Sequence, residues 1–374
     1  MVTDSMDGIT RRKLLAGIGC TTFLTSMMMP FDKSAAAHSG AGQPAFIAAR
    51  KEAGEQFSVA VLDRKGELLF SEKLENRGHA TTLSPDKKTA VTFARRPGHI
   101  ALVLDLENFS RQQFFTPPQG LHFYGHGFFS PDGRLLYATE NDYENERGIL
   151  GIYDSRNSYK RLGQFDTHGI GPHEALLLSD GRTIAVANGG ILTHPDYPRE
   201  KLNLATMEPS LVYLDARDGR LLERVKLPAE YYQLSIRHMA EAGDGSVWFG
   251  GQYEGNPADS VSLVGKHNRG SEIAFSAPPK TFAHMKQYIG SVAASKDGKR
   301  IATSAPRGDR VAIWDSRDGS LLEIKELVDA GGVAANPDDP ADFVISDGLG
   351  SLHRKGERLC HTPDIAWDNH LTSL

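Results

Sequence analysis

The chain has 374 residues, of which 24% are charged and 40% hydrophobic, with 38 glycines and 19 prolines; this is the composition of a turn-rich globular protein. Its formal net charge of −5 at neutral pH excludes the basic footprint of a nucleic-acid-binding protein. Length alone does not require two domains, because closed all-β folds hold this many residues in one unit.

The chain opens on Thr10-Arg11-Arg12-Lys13-Leu14-Leu15, an apolar stretch to Met29, and Ala35-Ala36-Ala37. This order of basic, apolar and small residues predicts an export signal over residues 1–37. The paired arginines resemble a twin-arginine signal, which a receptor reads and which is not an anchor. The expectation is a periplasmic protein beginning near His38. The apolar stretch is short and broken by Thr and Ser, so no membrane span is expected in the mature protein. Losing four basic and three acidic residues with the signal moves the net charge to −6. Only Cys360 remains, so no internal disulfide is expected.

From Leu62 onward two kinds of turn recur. One is typified by Ser130-Pro131-Asp132-Gly133, with weaker copies at Ser84-Pro85-Asp86-Lys87, Ser179-Asp180-Gly181, Gly243-Asp244-Gly245, Lys296-Asp297-Gly298 and Asn336-Pro337-Asp338. Pro presets one φ, Asp bonds back to the backbone, and Gly takes positive φ. The other is typified by Asp215-Ala216-Arg217-Asp218-Gly219 and follows Leu62, Leu104, Tyr153, Leu214, Val264, Trp314 and Leu352. Short β-like runs at a period of roughly 40 to 50 residues are the signature of a propeller.

Six inner turns against seven outer ones predict an all-β, seven-bladed β-propeller over residues 38–374 whose first blade, from Phe46 to Leu74, lacks its innermost strand. The tail Ile365–Leu371 is expected to supply that strand and close the circle. Longer insertions fall between Asn188 and Leu211 in blade four and between Gln252 and Leu263 in blade five. Long loops on a rigid scaffold are more often functional than connective.

Histidines recur before the inner turns and at the tail: His79, His126, His173, His238 and His370. Counted back to the turn aspartate, His79 and His173 stand seven residues away, His126 and His238 six. A one-residue offset sends a side chain to the opposite face unless a bulge compensates. All four fall where innermost strands begin, around the central channel. Converging imidazoles with a carboxylate such as Glu174 suit iron, copper, zinc or manganese. The same histidines also read as groups that satisfy loop carbonyls, and Asp368 and Asn369 as turn caps.

Asn188-Gly189-Gly190 and His194 form a second candidate ligand set, where paired glycines permit close backbone approach. Arg237 and Arg307, each at a strand end, form a third, able to take a carboxylate or phosphate bidentately. No G-x-S-x-G, P-loop or dinucleotide fingerprint is present, so no catalytic residue is assigned.

Arg11-Arg12, Pro172-His173-Glu174, Ala187-Asn188-Gly189-Gly190-Ile191, Leu202-Asn203-Leu204, Met207-Glu208-Pro209-Ser210-Leu211, Arg237-His238, Trp248–Gly255 and Trp367-Asp368-Asn369-His370-Leu371 together resemble an uncharacterised family of exported bacterial propellers, WD40-like or YVTN-like and classed as a domain of unknown function. Members of that family are typically encoded beside imelysin-type iron-associated proteins and a di-haem oxidoreductase. The resemblance implies a role in periplasmic iron handling, with imelysin-type proteins as the partner class, and carries over no catalytic residues. Three readings stand at this point: a binding protein with a metal or ligand site at the channel mouth, a metal-dependent hydrolase or lactonase using the same mouth, and a protein-interaction scaffold docking through the blade-four loop.

Overall fold

The computed structural model describes residues 42–197 and 200–374; the expected export signal lies outside them. The described strands form seven antiparallel sheets arranged as propeller blades. Blades two to seven are built in chain order. Their innermost strands are Gly78–Leu83, Leu121–Phe129, Pro172–Leu177, Leu234–Glu241, Ser291–Ala294 and Ala330–Ala335.

The inner turns follow the predicted chemistry. The hydroxyls of Ser84, Ser130 and Ser295 each donate to the turn aspartate two residues on, at 2.6 Å. Gly133, Gly181, Gly245 and Gly298 take positive φ, and Lys87 takes the same conformation in the copy without glycine.

Blade one closes as the turn count requires. Pro44–Glu52, Gln56–Asp63 and Leu68–Leu74 supply three strands, and the C-terminal tail pairs with the first of them. Ala366 and Trp367 face Lys51 and Arg50, while Thr372 and Ser373 face Ile47 and Phe46. Of the strand expected over 365–371 only Ala366–Trp367 forms as such; Thr372–Ser373, beyond it, forms the second half, and residues 369–371 leave the ladder between the two. That break projects Asp368 and His370 into the channel.

The core follows the same circular logic. Apolar clusters lie between successive blades, for example Ile47, Val59 and Val61 of blade one against Ala90, Leu102 and Leu104 of blade two. The last cluster joins blade seven to blade one through Val344, Leu352, Phe46, Leu62, Trp367 and Leu371. The longer insertions are held by their own polar groups: Asn203 accepts from the Leu192 amide at 2.7 Å and donates to the Gly190 carbonyl at 2.9 Å. Between blades five and six the chain adds a 3-10 segment, Pro279–Met285, that the repeat pattern did not announce.

Candidate functional site

Each innermost strand of blades two to five carries a β-bulge at its start: between Gly78 and Thr81, Phe123 and Gly127, Pro172 and Glu174, and Ile236 and His238. A bulge places two residues opposite one, so neighbouring side chains can share a face. This resolves the seven-against-six offset of the histidines. Seven residues before the turn aspartate stand His79, Gly125, His173 and Arg237; six residues before it stand Ala80, His126, Glu174 and His238. His79, His173 and Arg237 line an upper cavity, His126 and Glu174 a lower one, and His238 reaches both. The histidines thus form a partition across the channel, and His173 is the positional equivalent of Arg237 rather than of His238.

Small residues make room for it. Gly125 has φ of 108°, and a Cβ there would lie 2.5 Å from the His79 imidazole. In blade seven the equivalent position is Gly331-Gly332, and a Cβ on Gly332 would meet the Leu371 amide nitrogen at 2.6 Å. Blade seven gives up its own side chain so that the tail can deliver His370.

All five imidazoles converge. His79 and His370 have centroids 4.1 Å apart, His173 and His238 4.7 Å, and His126 lies 4.8 Å from His370 and 5.0 Å from both His79 and His173. Two carboxylates, the buried Asp368 and the half-buried Glu174, face four of them. Glu174 lies 3.5 Å from His126 Nδ1 and 3.6 Å from His238 Nδ1, and is fixed by the Met239 amide at 2.8 Å. Asp368 lies 3.3 Å from His79 Nδ1 and 3.2 Å from His370 Nδ1, and is anchored by Arg77 at 2.7 Å. Where Nδ1 donates to the carboxylate, Nε2 is left with its lone pair free, as an unprotonated ligand nitrogen requires. His126 Nε2, His370 Nε2 and His173 Nδ1 are buried without a hydrogen-bond partner in the protein.

The electrostatics suit metal ligation. Burial pushes His79 and His173 well below the ordinary imidazole value, and neighbouring imidazoles push the same way. Burial takes His238 down to about 4 and also lowers His370. Burial opposes ionisation of Glu174 and Asp368, but contact with the imidazoles outweighs it and holds both below the usual carboxylate range. At neutral pH His79, His173, His238 and His370 are therefore neutral imidazoles, the ligand form, beside ionised carboxylates.

In the metal-free protein the unfolded chain binds more protons than the folded one once pH drops below about 6.5, so stability is full above that value and is lost as pH falls toward 4. His238 alone accounts for about 3 kcal/mol at about 1.4 kcal/mol per unit. The thermal midpoint of metal-free protein is expected to drop steeply between pH 7 and pH 5; a midpoint constant over that range would show that the imidazoles are not buried as described.

Three sets of ligand atoms, His79/His126/His173, His126/His238/His370 and His79/Asp368/His370, each lie within 4.8 Å of one another. Three nitrogens bonded to one ion at about 2.1 Å stand about 3.4 to 3.6 Å from one another, so a set spread to that limit closes on an ion by shifts of about an ångström.

The other predicted residues divide. Arg237 and Arg307 line the upper cavity with Lys201, which the blade-four insertion delivers. Asn188 and His194 do not join them. Asn188 is fully buried and its amide donates to the Thr167 carbonyl at 2.8 Å, tying down a loop. His194 packs against Tyr143 on the insertion, and its nearest carboxylates are Asp196 at 3.7 Å and Glu144 at 4.0 Å. Asp368 is no simple turn cap, since it orients two imidazoles. Arg77, Arg96, Tyr124 and Tyr288 were not singled out by sequence; aligning every blade on its turn aspartate would have flagged only the positions seven and six residues upstream.

The comparisons agree with the fold. Hydrazine synthase of Kuenenia stuttgartiensis superposes with a TM-score of 0.61 at 13% identity, covering 89% of this chain and 99% of that one. The Cps50 (Swd1) β-propeller domain of Myceliophteria thermophila superposes with a TM-score of 0.57 at 11% identity, covering 82% and 94%. At such identities the likeness concerns the fold alone. No curated protein matches the sequence. The model of a family described as "Protein of unknown function (DUF1513)" matches residues 72–374, and the chain belongs to that family.

Proposed function

We propose that this propeller binds one first-row transition-metal ion among the histidines of its channel and acts as a periplasmic metal-binding accessory protein in iron handling. The observation that carries the reading is the orientation of four imidazoles by Glu174 and Asp368 while His126 Nε2, His370 Nε2 and His173 Nδ1 remain unpartnered in a buried cluster. A ligating histidine characteristically donates its second ring N–H to a carboxylate, which fixes the tautomer and raises ligand basicity. A buried histidine cluster with a purely structural role would pair those nitrogens.

Imidazole donors suit iron, copper and zinc, whereas manganese prefers oxygen, so the set favours the first three. The twin-arginine-like sequence at residues 10–15 supports the periplasmic assignment. The resemblance to exported proteins encoded beside imelysin-type proteins supports iron and names that partner class.

Chelator-stripped protein titrated anaerobically with Fe²⁺, and separately with Zn²⁺ and Co²⁺, is expected to saturate at one ion per chain. Cobalt should give the visible bands of a nitrogen-ligated ion. Absence of saturable binding by any of the three overturns the reading.

A further inference from the structure

The partition of histidines is the floor of a cavity of 240 Å³ that opens at the channel mouth. At about 30 Å³ per water this holds roughly eight waters, several times the room a lone tetrahedral oxyanion fills. Its walls are cationic in a chain whose net charge is negative. Arg95 and Arg96 enter from blade two, Lys201 from the blade-four insertion, Arg237 from blade five and Arg307 from blade six. Among the described residues the one carboxylate in the lining, Glu254, pairs with Lys201 and stands 3.8 Å from Arg237.

Arg237 is 8% exposed, and its Nε has no hydrogen-bond partner in the protein. The same holds for one terminal guanidinium nitrogen of Arg96. Burying a guanidinium beside another cation is costly unless something compensates. Tyr124 lies beneath Arg96 and Tyr288 beneath Arg307, with centroid distances of 5.7 and 4.3 Å. These stacks fix the guanidinium planes and leave their N–H edges for bidentate contacts.

We infer that this cavity binds a small multivalent carboxylate, a di- or tricarboxylate, clamped between the arginines and facing the histidine floor. The cations approach from several blades, so the ligand must carry anionic groups at more than one end; a single phosphate satisfies one side only. Its inward carboxylate faces the site of the proposed metal, and in that respect the inference rests on the metal reading. The cavity would then take the metal as a polycarboxylate complex, with the arginines binding the anion and the imidazoles the ion. The anion-binding half stands without the metal.

Calorimetric titration of metal-free protein with citrate, and with inorganic phosphate as the comparison, separates the two claims. Citrate is expected to bind, phosphate at least tenfold more weakly. Arg237→Gln and the exposed Arg307→Gln should each weaken citrate binding at least tenfold. Arg307→Gln keeps the test valid if the buried substitution disturbs folding. No citrate binding, phosphate binding as tight as citrate, or indifference to Arg307→Gln overturns the inference. Citrate binding by a protein that takes up no metal would keep the anion site and discard the metal centre.

Discussion

Removing residues 365–374 abolishes folding of the propeller, observed as loss of the cooperative thermal transition and accumulation in the insoluble fraction. The deleted segment contributes both short strands that complete blade one. Without it Pro44–Glu52 becomes an unpaired edge facing the channel, the kind of edge that promotes aggregation. It also takes away Trp367 and Leu371, 3% and 6% exposed, from the cluster that joins blade seven to blade one. Truncating a buried Trp costs about 3–5 kcal/mol and a buried Leu about 2–5, against a total stability of about 5–15 for a typical domain. Loss of Asp368 further strands Arg77, His79 and the Ala49 carbonyl that accepts from its amide. Trp367→Ala, which keeps the strand pairing, should remain folded with a lowered midpoint. A truncated chain that stays soluble and melts cooperatively would show that the closure is dispensable.

The second large effect concerns binding. His126→Asn/His370→Asn is expected to lower affinity for Fe²⁺ or Zn²⁺ by more than 100-fold, since changes to the orienting groups alone cost about 10–100-fold. Asn keeps an amide near the Nδ1 position, so contact with Glu174 and Asp368 is retained while both Nε2 donors disappear. The thermal midpoint of the metal-free variant should lie close to that of the parent. This separates a ligand role from a packing role: a structural histidine pair would lose stability and leave metal affinity unchanged. Glu174→Gln, which retains an acceptor but not the charge, should fall in the 10–100-fold range.

The fold was legible because its punctuation is chemical. Ser130-Pro131-Asp132-Gly133 and its copies set the blade period through Pro, Asp and Gly, each acting on the backbone within four residues. The missing seventh inner turn left only one place for the tail. The site was half legible. Counting to the turn aspartate identified the histidines but read the seven-against-six offset as a division of the set, because bulges at Gly78, Pro172 and Ile236 leave no mark in a turn-to-turn count. The bulges put both positions on the channel face. Asp368 was read as a cap because its partners, Arg77 and His79, lie almost 300 residues away in sequence, brought together only by closure. Asn188 and His194 lie away from the cavity for the opposite reason: local glycines suggested a ligand loop, while the Asn188 amide ties down the Thr167 loop and the His194 imidazole packs on Tyr143 and accepts from the Asp196 amide. Lys201, from that same insertion, is the side chain that reaches the cavity.

The central claim is that one ion sits among the five imidazoles. An anomalous-difference map from crystals of iron- or zinc-loaded protein, collected above and below the metal's absorption edge, tests it most directly. One strong peak is expected inside the cluster, within about 2.0–2.3 Å of at least three imidazole nitrogens that include His126 Nε2 and His370 Nε2. A loaded crystal with no peak there, or with its metal bound elsewhere on the protein, would contradict it.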